Sequence, residues 1–314
     1  MANGQGPVFG ERAEYGPNDV CFRHPSVHSF TLCQRCGRTI CADCQITSPV
    51  GVLCPECVQQ TQPGTAQRTS RTMRVAGRRI SALDAPVTYA IMAVSVLTFI
   101  LQSLSNFFGA DEVTRALWYA PLYSLPNSLL PEGVGFEPWR MITVMFTHST
   151  GFIFHILFNM LALWLFGRNL EQLIGRAQFL LLYLFAGVGG SLGVMFYAYF
   201  DPSTINVPTV GASGAIFGVL AATMVAFKAA QANVTSLAVL IGINFAIGLI
   251  PGAAISWQAH LGGMIVGAVT MWLMLGARGP RKRGRRITTM VSLGVILAAL
   301  ACAYFVVVPN IFGA

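Results

Sequence analysis

The chain has 314 residues, of which 54% are hydrophobic and only 10% charged, and its mean hydropathy is +0.61. Soluble domains carry nearer about a quarter charged residues, so a wholly soluble globular protein is excluded and lipid is the expected solvent for most of the chain. The net charge of +8 would suggest nucleic acid for a soluble protein, but here it lies mainly in two arginine-rich runs, and no nucleic-acid partner is expected.

Residues 1–20 are Gly-rich and polar and read as a disordered tail. They lack an apolar h-region, so no cleavable signal peptide is expected. Residues 21–58 hold seven of the eight cysteines, whereas Cys302 in the last apolar stretch reads as inert packing. The module contains four ligand pairs with two residues between partners: Cys21 and His24, Cys33 and Cys36, Cys41 and Cys44, Cys54 and Cys57. In a reducing compartment such pairs bind metal rather than form disulfides, and eight N/S ligands suit two tetrahedral, structural Zn²⁺ ions. The spacing resembles a B-box-type zinc finger, in which alternate pairs share a metal. That implies Cys21, His24, Cys41 and Cys44 at one site and Cys33, Cys36, Cys54 and Cys57 at the other. His28 in place of His24, and pairing of adjacent pairs, stay open. A module this small has little core, so metal is expected to supply its folding energy, and with no open metal position its role is interaction, through a cytosolic protein partner, or regulation. Residues 59–82, with Arg68, Arg71, Arg74, Arg78 and Arg79 and no apolar periodicity, form a basic flexible linker.

Beyond it the chain is apolar. A membrane span needs about 20 mostly apolar residues, and seven segments qualify: roughly 86–106, 144–166, 177–199, 211–230, 234–250, 256–276 and 287–309. The 35-odd residues between the first two spans include "ALWYAPLYSLPNSLLP", a Trp, Tyr, Leu and Pro mixture suited to the membrane interface. Basic residues precede the first span, follow the second (Arg168, Arg176), close the fourth (Lys228) and separate the sixth from the seventh; the opposite loops carry Asp111, Glu112, Glu132, Glu137 and Asp201. Short basic loops stay cytoplasmic, so the amino terminus is expected inside and the carboxyl terminus outside, in the cell membrane.

Polar side chains within spans are costly and mark sites. They are His148, His155 and Asn159 in the second span, Ser213 at the start of the fourth, Asn244 in the fifth and His260 in the sixth. The second, fourth and sixth spans all run from outside to inside, which places His155, Asn159, Ser213 and His260 at similar depth in the outer leaflet. Serine needs a base to become a nucleophile, and His260 is the one histidine in the later spans. No Asp or Glu lies at that depth, so a Ser-His dyad is expected rather than a triad. A serine at a helix start brings free backbone N–H groups, and "HILFN" puts His155 and Asn159 at i and i+4 on one helix face, so both can serve an oxyanion. Taken singly, Ser213 among Gly211, Gly214 and Gly218 reads as a small-residue packing face, as does Gly263 with Gly267; taken together on one level, the residues read as a site. His148 and Asn244 read as structural contacts.

In order along residues 84–276, "WR" at Trp139 and Arg140, "HILFNM", "GRNLEQLIG", "GASGAIFG" and "AHLGGMIVG" resemble the rhomboid intramembrane serine proteases. The resemblance implies an all-α polytopic bundle with a six-helix core, a seventh carboxyl-terminal helix and the zinc-binding module in front. It implies Ser213 as nucleophile and His260 as general base and acid, with no cofactor for catalysis. It also implies His155, Asn159, the backbone at Ser213 and Gly211 at the oxyanion hole, structural roles for Trp139, Arg140 and Glu171, and transmembrane proteins with small or helix-breaking residues as substrates. Phe217 stands where some members carry tyrosine; its ring can stack beneath the base but cannot donate a hydrogen bond. Two other classes stay open. A catalytically inert relative that binds membrane clients would be expected to lack Ser213 or His260, and a small transporter would more often show an internal repeat or intramembrane charge.

Overall fold

The structure, a computed structural model, describes residues 16–48, 51–61, 83–126, 135–250, 255–277 and 279–307. The expected tail up to residue 15, most of the basic linker at residues 62–82, residues 127–134 with Glu132, and residues 308 and 309 of the seventh expected span lie outside the described residues. The chain divides into two units, Met1–Ile80 and Ser81–Ala314.

In the first unit, strands β1 (Ile46–Ser48) and β2 (Gly51–Leu53) pair antiparallel with Ile46 opposite Leu53, and helix α1 (Pro55–Thr61) follows. Single bridges join Val20 to His28 and Leu32 to Thr39. The buried residues are Ile40, Leu53 and six of the cysteines. So little apolar surface offsets little of the entropy of ordering the module, and a metal held by its cysteines and histidine could supply the rest.

The second unit is helical. Helices α2 (Pro86–Phe107) and α3 (Glu112–Leu117) are followed by a short helix α4 (Arg140–Thr143) that tightens into a 3-10 turn at Val144–Phe146. Then come α5 (Ile153–Ile174), α6 (Arg176–Phe200), α7 (Ser213–Ala229), α8 (Thr235–Gly248), α9 (Trp257–Gly276) and α10 (Arg283–Val307). Five helices are long and apolar enough to cross a membrane, namely α2, α5, α6, α9 and α10; α7 and α8 are apolar but shorter. The protein is a multi-pass membrane protein. The seven expected spans are thus seven apolar helices, of which one is misplaced by the sequence pattern. The second was expected at 144–166, yet α5 begins at Ile153 and runs to Ile174, with a π-helical stretch at Leu163–Gly167. The apolar run from Val144 to Phe146 is spent on a packed turn, and the segment Thr147–Phe152 is not helical. His148 therefore lies before the helix, not in it.

Glu171 explains why α5 extends past its last apolar turn. The carboxylate is 2% exposed and accepts from the backbone N–H groups of Val87 (3.0 Å) and Thr88 (2.7 Å) and from the Thr88 hydroxyl (2.8 Å). These are orphan donors at the first turn of α2, where Pro86 supplies the pre-set φ and a negative charge meets the positive end of the helix dipole. At the other end of the bundle Arg140 plays a comparable part in holding a loop. It donates from Nη1 to the carbonyls of Arg115 (2.6 Å) and Trp118 (3.1 Å), pairs with Glu137 and lies 4.0 Å over the Tyr123 ring. Trp139 beside it is exposed. Glu171→Gln replaces one acceptor oxygen by an NH₂ group that faces N–H donors; it is expected to lower unfolding free energy in detergent by about 1–3 kcal/mol, and unchanged stability would refute the capping role.

Candidate active site

Helix α7 starts where it does because of the glycine before it. Gly211 has φ +126°, a region L side chains rarely adopt, and its N–H donates to the Val144 carbonyl at 3.2 Å. A Cβ at this position would come within 2.8 Å of His155 Nε2 and 3.6 Å of Ser213 Oγ. The bare backbone thus leaves a small space bounded by both. The first intrahelical bond runs from the Ile216 N–H to the Ala212 carbonyl at 3.0 Å, so the N–H groups of Ser213, Gly214 and Ala215 have no partner within α7.

Across from it, α9 brings His260 alongside. His260 Nε2 and Ser213 Oγ are 2.9 Å apart, with His260 buried and Ser213 half-buried. The two helices meet at their backbones: a Cβ on Gly263 would overlap the Gly214 carbonyl oxygen, and one on Gly267 would overlap that of Gly218. Beneath the imidazole, the Phe217 ring stacks at 4.0 Å between centroids and 13° between planes. His260 Nδ1 is buried and has no hydrogen-bond partner among the described residues.

His155 is half-buried in the first turn of α5. Its Nδ1 accepts from the Ser149 backbone N–H at 3.2 Å, which in a neutral ring leaves the proton on Nε2, the nitrogen facing Gly211. Asn159, 8% exposed, donates through Nδ2 to the His155 carbonyl at 2.7 Å, one turn back on the same helix. Its amide thus retains one uncommitted proton in this bond. His148 is fully buried with its ring 5.3 Å from that of His155, and Asn244 donates to the Leu240 carbonyl of its own helix at 2.8 Å. Ser213, His260, His155 and Gly211 are therefore brought together, Asn159 lies one turn behind, and Asn244 is a local contact on α8. An alkoxide-forming hydroxyl, a base and an N–H pair around one small space are the parts that acyl transfer needs.

Comparison with known proteins agrees with this geometry. A family profile described as "Rhomboid domain" matches residues 135–277, which take in α5 to α9 and every residue of the cluster. The chain carries a domain of the rhomboid family. It is 33% identical over 222 residues to "Rhomboid protease GluP" of Bacillus subtilis, an alignment covering 69% of this chain and 39% of that protein. It is 35% identical over 148 residues to "RHOMBOID-like protein 6, mitochondrial" of Arabidopsis thaliana, covering 45% of each chain. With "Rhomboid protease AarA" of Providencia stuartii it shares 26% identity over 220 residues, covering 60% of this chain and 75% of that protein. The chain thus spans less than half the length of the first two relatives.

The cysteine module lies outside the matched rhomboid domain. Cys21, His24, Cys41 and Cys44 form one group and Cys33, Cys36, Cys54 and Cys57 another, with the ligand atoms of each group all within 4.8 Å of one another. In the first, His24 Nδ1 lies 3.3 Å from Cys41 Sγ and 3.4 Å from Cys44 Sγ. In the second, Cys54 Sγ lies 3.8 Å from Cys36 Sγ, and the Cys54 N–H donates to Cys33 Sγ at 3.2 Å. Alternate pairs converge, and each set of soft S and N donors could hold a tetrahedral Zn²⁺. Burial, then hydrogen bonds with the thiols of Cys41 and Cys21, push the Cys44 thiol up to about 12.

One residue of the surroundings escapes a motif-based reading. Gln102 of α2 is fully buried and hydrogen-bonded to the backbone of His148; its signal in the sequence is an amide between Leu101 and Ser103 near the end of a largely apolar span. Two tests follow from the packing and the ligand sets. Gly263→Val must push α9 from α7, and is expected to destabilise the fold by about 1–3 kcal/mol and to abolish any activity that requires the Ser213–His260 contact; full retention of both would refute the close-approach argument. Metal analysis of the full chain is expected to return about two zinc ions, falling to about one when Cys44 and Cys41 are both replaced by serine; a metal-free chain with an intact fold would overturn the assignment.

Proposed function

We propose that this chain is an intramembrane serine endopeptidase acting through a Ser213–His260 dyad. The observation that carries the proposal is the 2.9 Å contact between Ser213 Oγ and His260 Nε2 inside a bundle of membrane helices. Membership of a family whose relatives include proteins named as rhomboid proteases supports it.

In this mechanism His260 Nε2 takes the hydroxyl proton as Ser213 Oγ attacks the scissile carbonyl. The negative charge forms in the space beside Gly211, where His155 Nε2–H and the free N–H of Ser213 donate to it, with Asn159 in support. His260 then passes its proton to the leaving amine, and an acyl group remains on Ser213. Water attacks that ester, giving its proton to His260, and the hydroxyl is regenerated as the peptide acid leaves. The parallel face of Phe217 stabilises the imidazolium of each tetrahedral step, as aromatic faces attract cations.

The depth of the site follows from helix length. With a rise of about 1.5 Å per residue, α7 spans about 26 Å, short of about 30 Å of hydrocarbon. With Lys228 at one interface, Ser213 lies below the other. Water and an unwound peptide must therefore enter from the side on which α7 begins, the extracytoplasmic side if the basic loops are cytoplasmic. The amino terminus and its zinc-holding module then face the cytosol, where thiols remain reduced. The substrate implied is a transmembrane protein whose helix unwinds near its outer end. A small cavity next to Ser213, lined by Val144, Met145, Gly187, Gly190 and Ser191, suits small side chains there.

Purified protein in detergent or liposomes is expected to cleave a model transmembrane substrate, and Ser213→Ala or His260→Ala to lower kcat by at least about 10³-fold with the fold retained. Cleavage persisting in both variants would refute the dyad. A folded parent that binds such substrates without cutting them would support an inert client-binding role instead.

A further inference from the structure

We infer that Gln102 is a positioning residue that sets the tautomer and orientation of His155, and through it the oxyanion hole; the inference rests on the proposed role of His155. Gln102 is fully buried in α2, far along the chain from any motif of the site. Its amide grips both main-chain polar groups of one residue: Nε2 donates to the His148 carbonyl at 3.0 Å, and Oε1 accepts from the His148 N–H at 3.0 Å. The remaining Nε2 proton reaches Thr114 Oγ1 of α3 at 3.2 Å. Both amide protons and the oxygen are therefore engaged, and a fully satisfied buried amide has one well-defined orientation.

The grip acts on the segment that needs it. Thr147–Phe152 is not helical: backbone turns hold its two ends, Thr147 to the Val144 carbonyl at 3.3 Å and the Phe152 carbonyl to the His155 N–H at 2.9 Å, and next to the clamped His148 is Ser149, whose N–H donates to His155 Nδ1 at 3.2 Å. That single bond decides which ring nitrogen of His155 carries the proton. With Nδ1 occupied as acceptor, Nε2–H is directed at the space beside Gly211, where a Cβ would stand 2.8 Å from it. Without the clamp, the middle of the segment is free to move Ser149 away, the ring samples the Nδ1–H tautomer, and Nε2 presents a lone pair to the developing oxyanion. A donor becomes a repulsive acceptor. The chain of contacts runs Gln102, His148 backbone, Ser149 N–H, His155; its first and last links are hydrogen bonds, and the middle one is the peptide unit that His148 and Ser149 share.

The test uses the full chain with ¹⁵N-labelled histidine, comparing parent, Gln102→Met, His155→Ala and the double variant. Gln102→Met keeps the side-chain volume and removes both halves of the grip. It is expected to lower kcat by about 10- to 100-fold with KM unchanged, less than the loss from deleting a hole donor outright. Its ¹⁵N spectrum is expected to show His155 shifting from pure Nε2–H to a mixture. In the His155→Ala background the same substitution is expected to change kcat by less than about twofold, since residues acting through one another are not additive; a merely structural role would lower both backgrounds alike. A folded Gln102→Met protein with unchanged His155 tautomer overturns the inference. Should that variant lose its fold, Gln102→Asn, which keeps the amide but draws it back from His148, carries the same measurements. If His155→Ala proves as active as the parent, the proposed role of His155 fails instead, and the ¹⁵N spectrum still decides whether Gln102 sets the tautomer.

Discussion

The backbone contact between α7 and α9 is the constraint on which the rest of this molecule depends. In lipid there is no hydrophobic force between helices, so they associate by close packing of small residues. Gly214 and Gly218 on one helix face Gly263 and Gly267 on the other so closely that any Cβ at Gly263 or Gly267 would overlap a carbonyl oxygen. Only at that separation can a short serine side chain meet an imidazole at 2.9 Å. Helix α6 is drawn in by the same means, since a Cβ on Gly262 would overlap the Gly189 carbonyl oxygen. On the proposed mechanism the small residues around Ser213 serve packing and chemistry at once, because the distance needed for proton sharing is itself a packing distance.

Around this apolar junction, the buried polar groups act as fasteners. Each is expensive to strand away from water, and Glu171, Arg140 and Gln102 are all held by backbone partners. Glu171 ties the end of α5 to the start of α2, Arg140 ties α4 to the backbone behind α3, and Gln102 ties α2 to the segment before α5. Their partners are largely N–H and C=O groups at helix ends and in loops, which no regular structure satisfies. A bundle whose helices are cemented by glycine contacts in the middle thus has its irregular segments pinned at both ends.

Much of this was legible in the sequence because the relevant signals are local. Apolar run length located the helices, ligand spacing with the B-box likeness anticipated which cysteine pairs converge, and polar residues in apolar spans singled out Ser213, His155 and His260, which meet around Gly211. The second span was displaced because apolar content alone cannot tell a packed turn at Val144–Phe146 from the first turn of a helix, and nothing local announces that Glu171 will be buried against α2. Gln102 was overlooked for a related reason. Besides the Thr114 hydroxyl its partners are the N–H and carbonyl of His148, and main-chain groups in a non-helical segment leave no mark in the sequence. The same holds for the Ser149 N–H that orients His155, a bond contributed by a residue whose side chain is irrelevant to it.

The absence of a carboxylate beside the base among the described residues has a physical reason in the same terms. In soluble triads an acid orients the histidine and stabilises its cation. Here orientation is available from packing, with Phe217 parallel to the ring on one side and the end of α8 close on another, where a Cβ on Gly248 would stand 3.8 Å from His260 Nδ1. Charge stabilisation is available from the aromatic face. A carboxylate at this depth would have to be ionised to help, and Glu171 illustrates what a buried carboxylate requires in this fold: two backbone N–H groups and a hydroxyl all aimed at it. An unpartnered acid would take up a proton and contribute nothing, so the proposed dyad, a stacked histidine acting with serine alone, suits the interior of a membrane bundle.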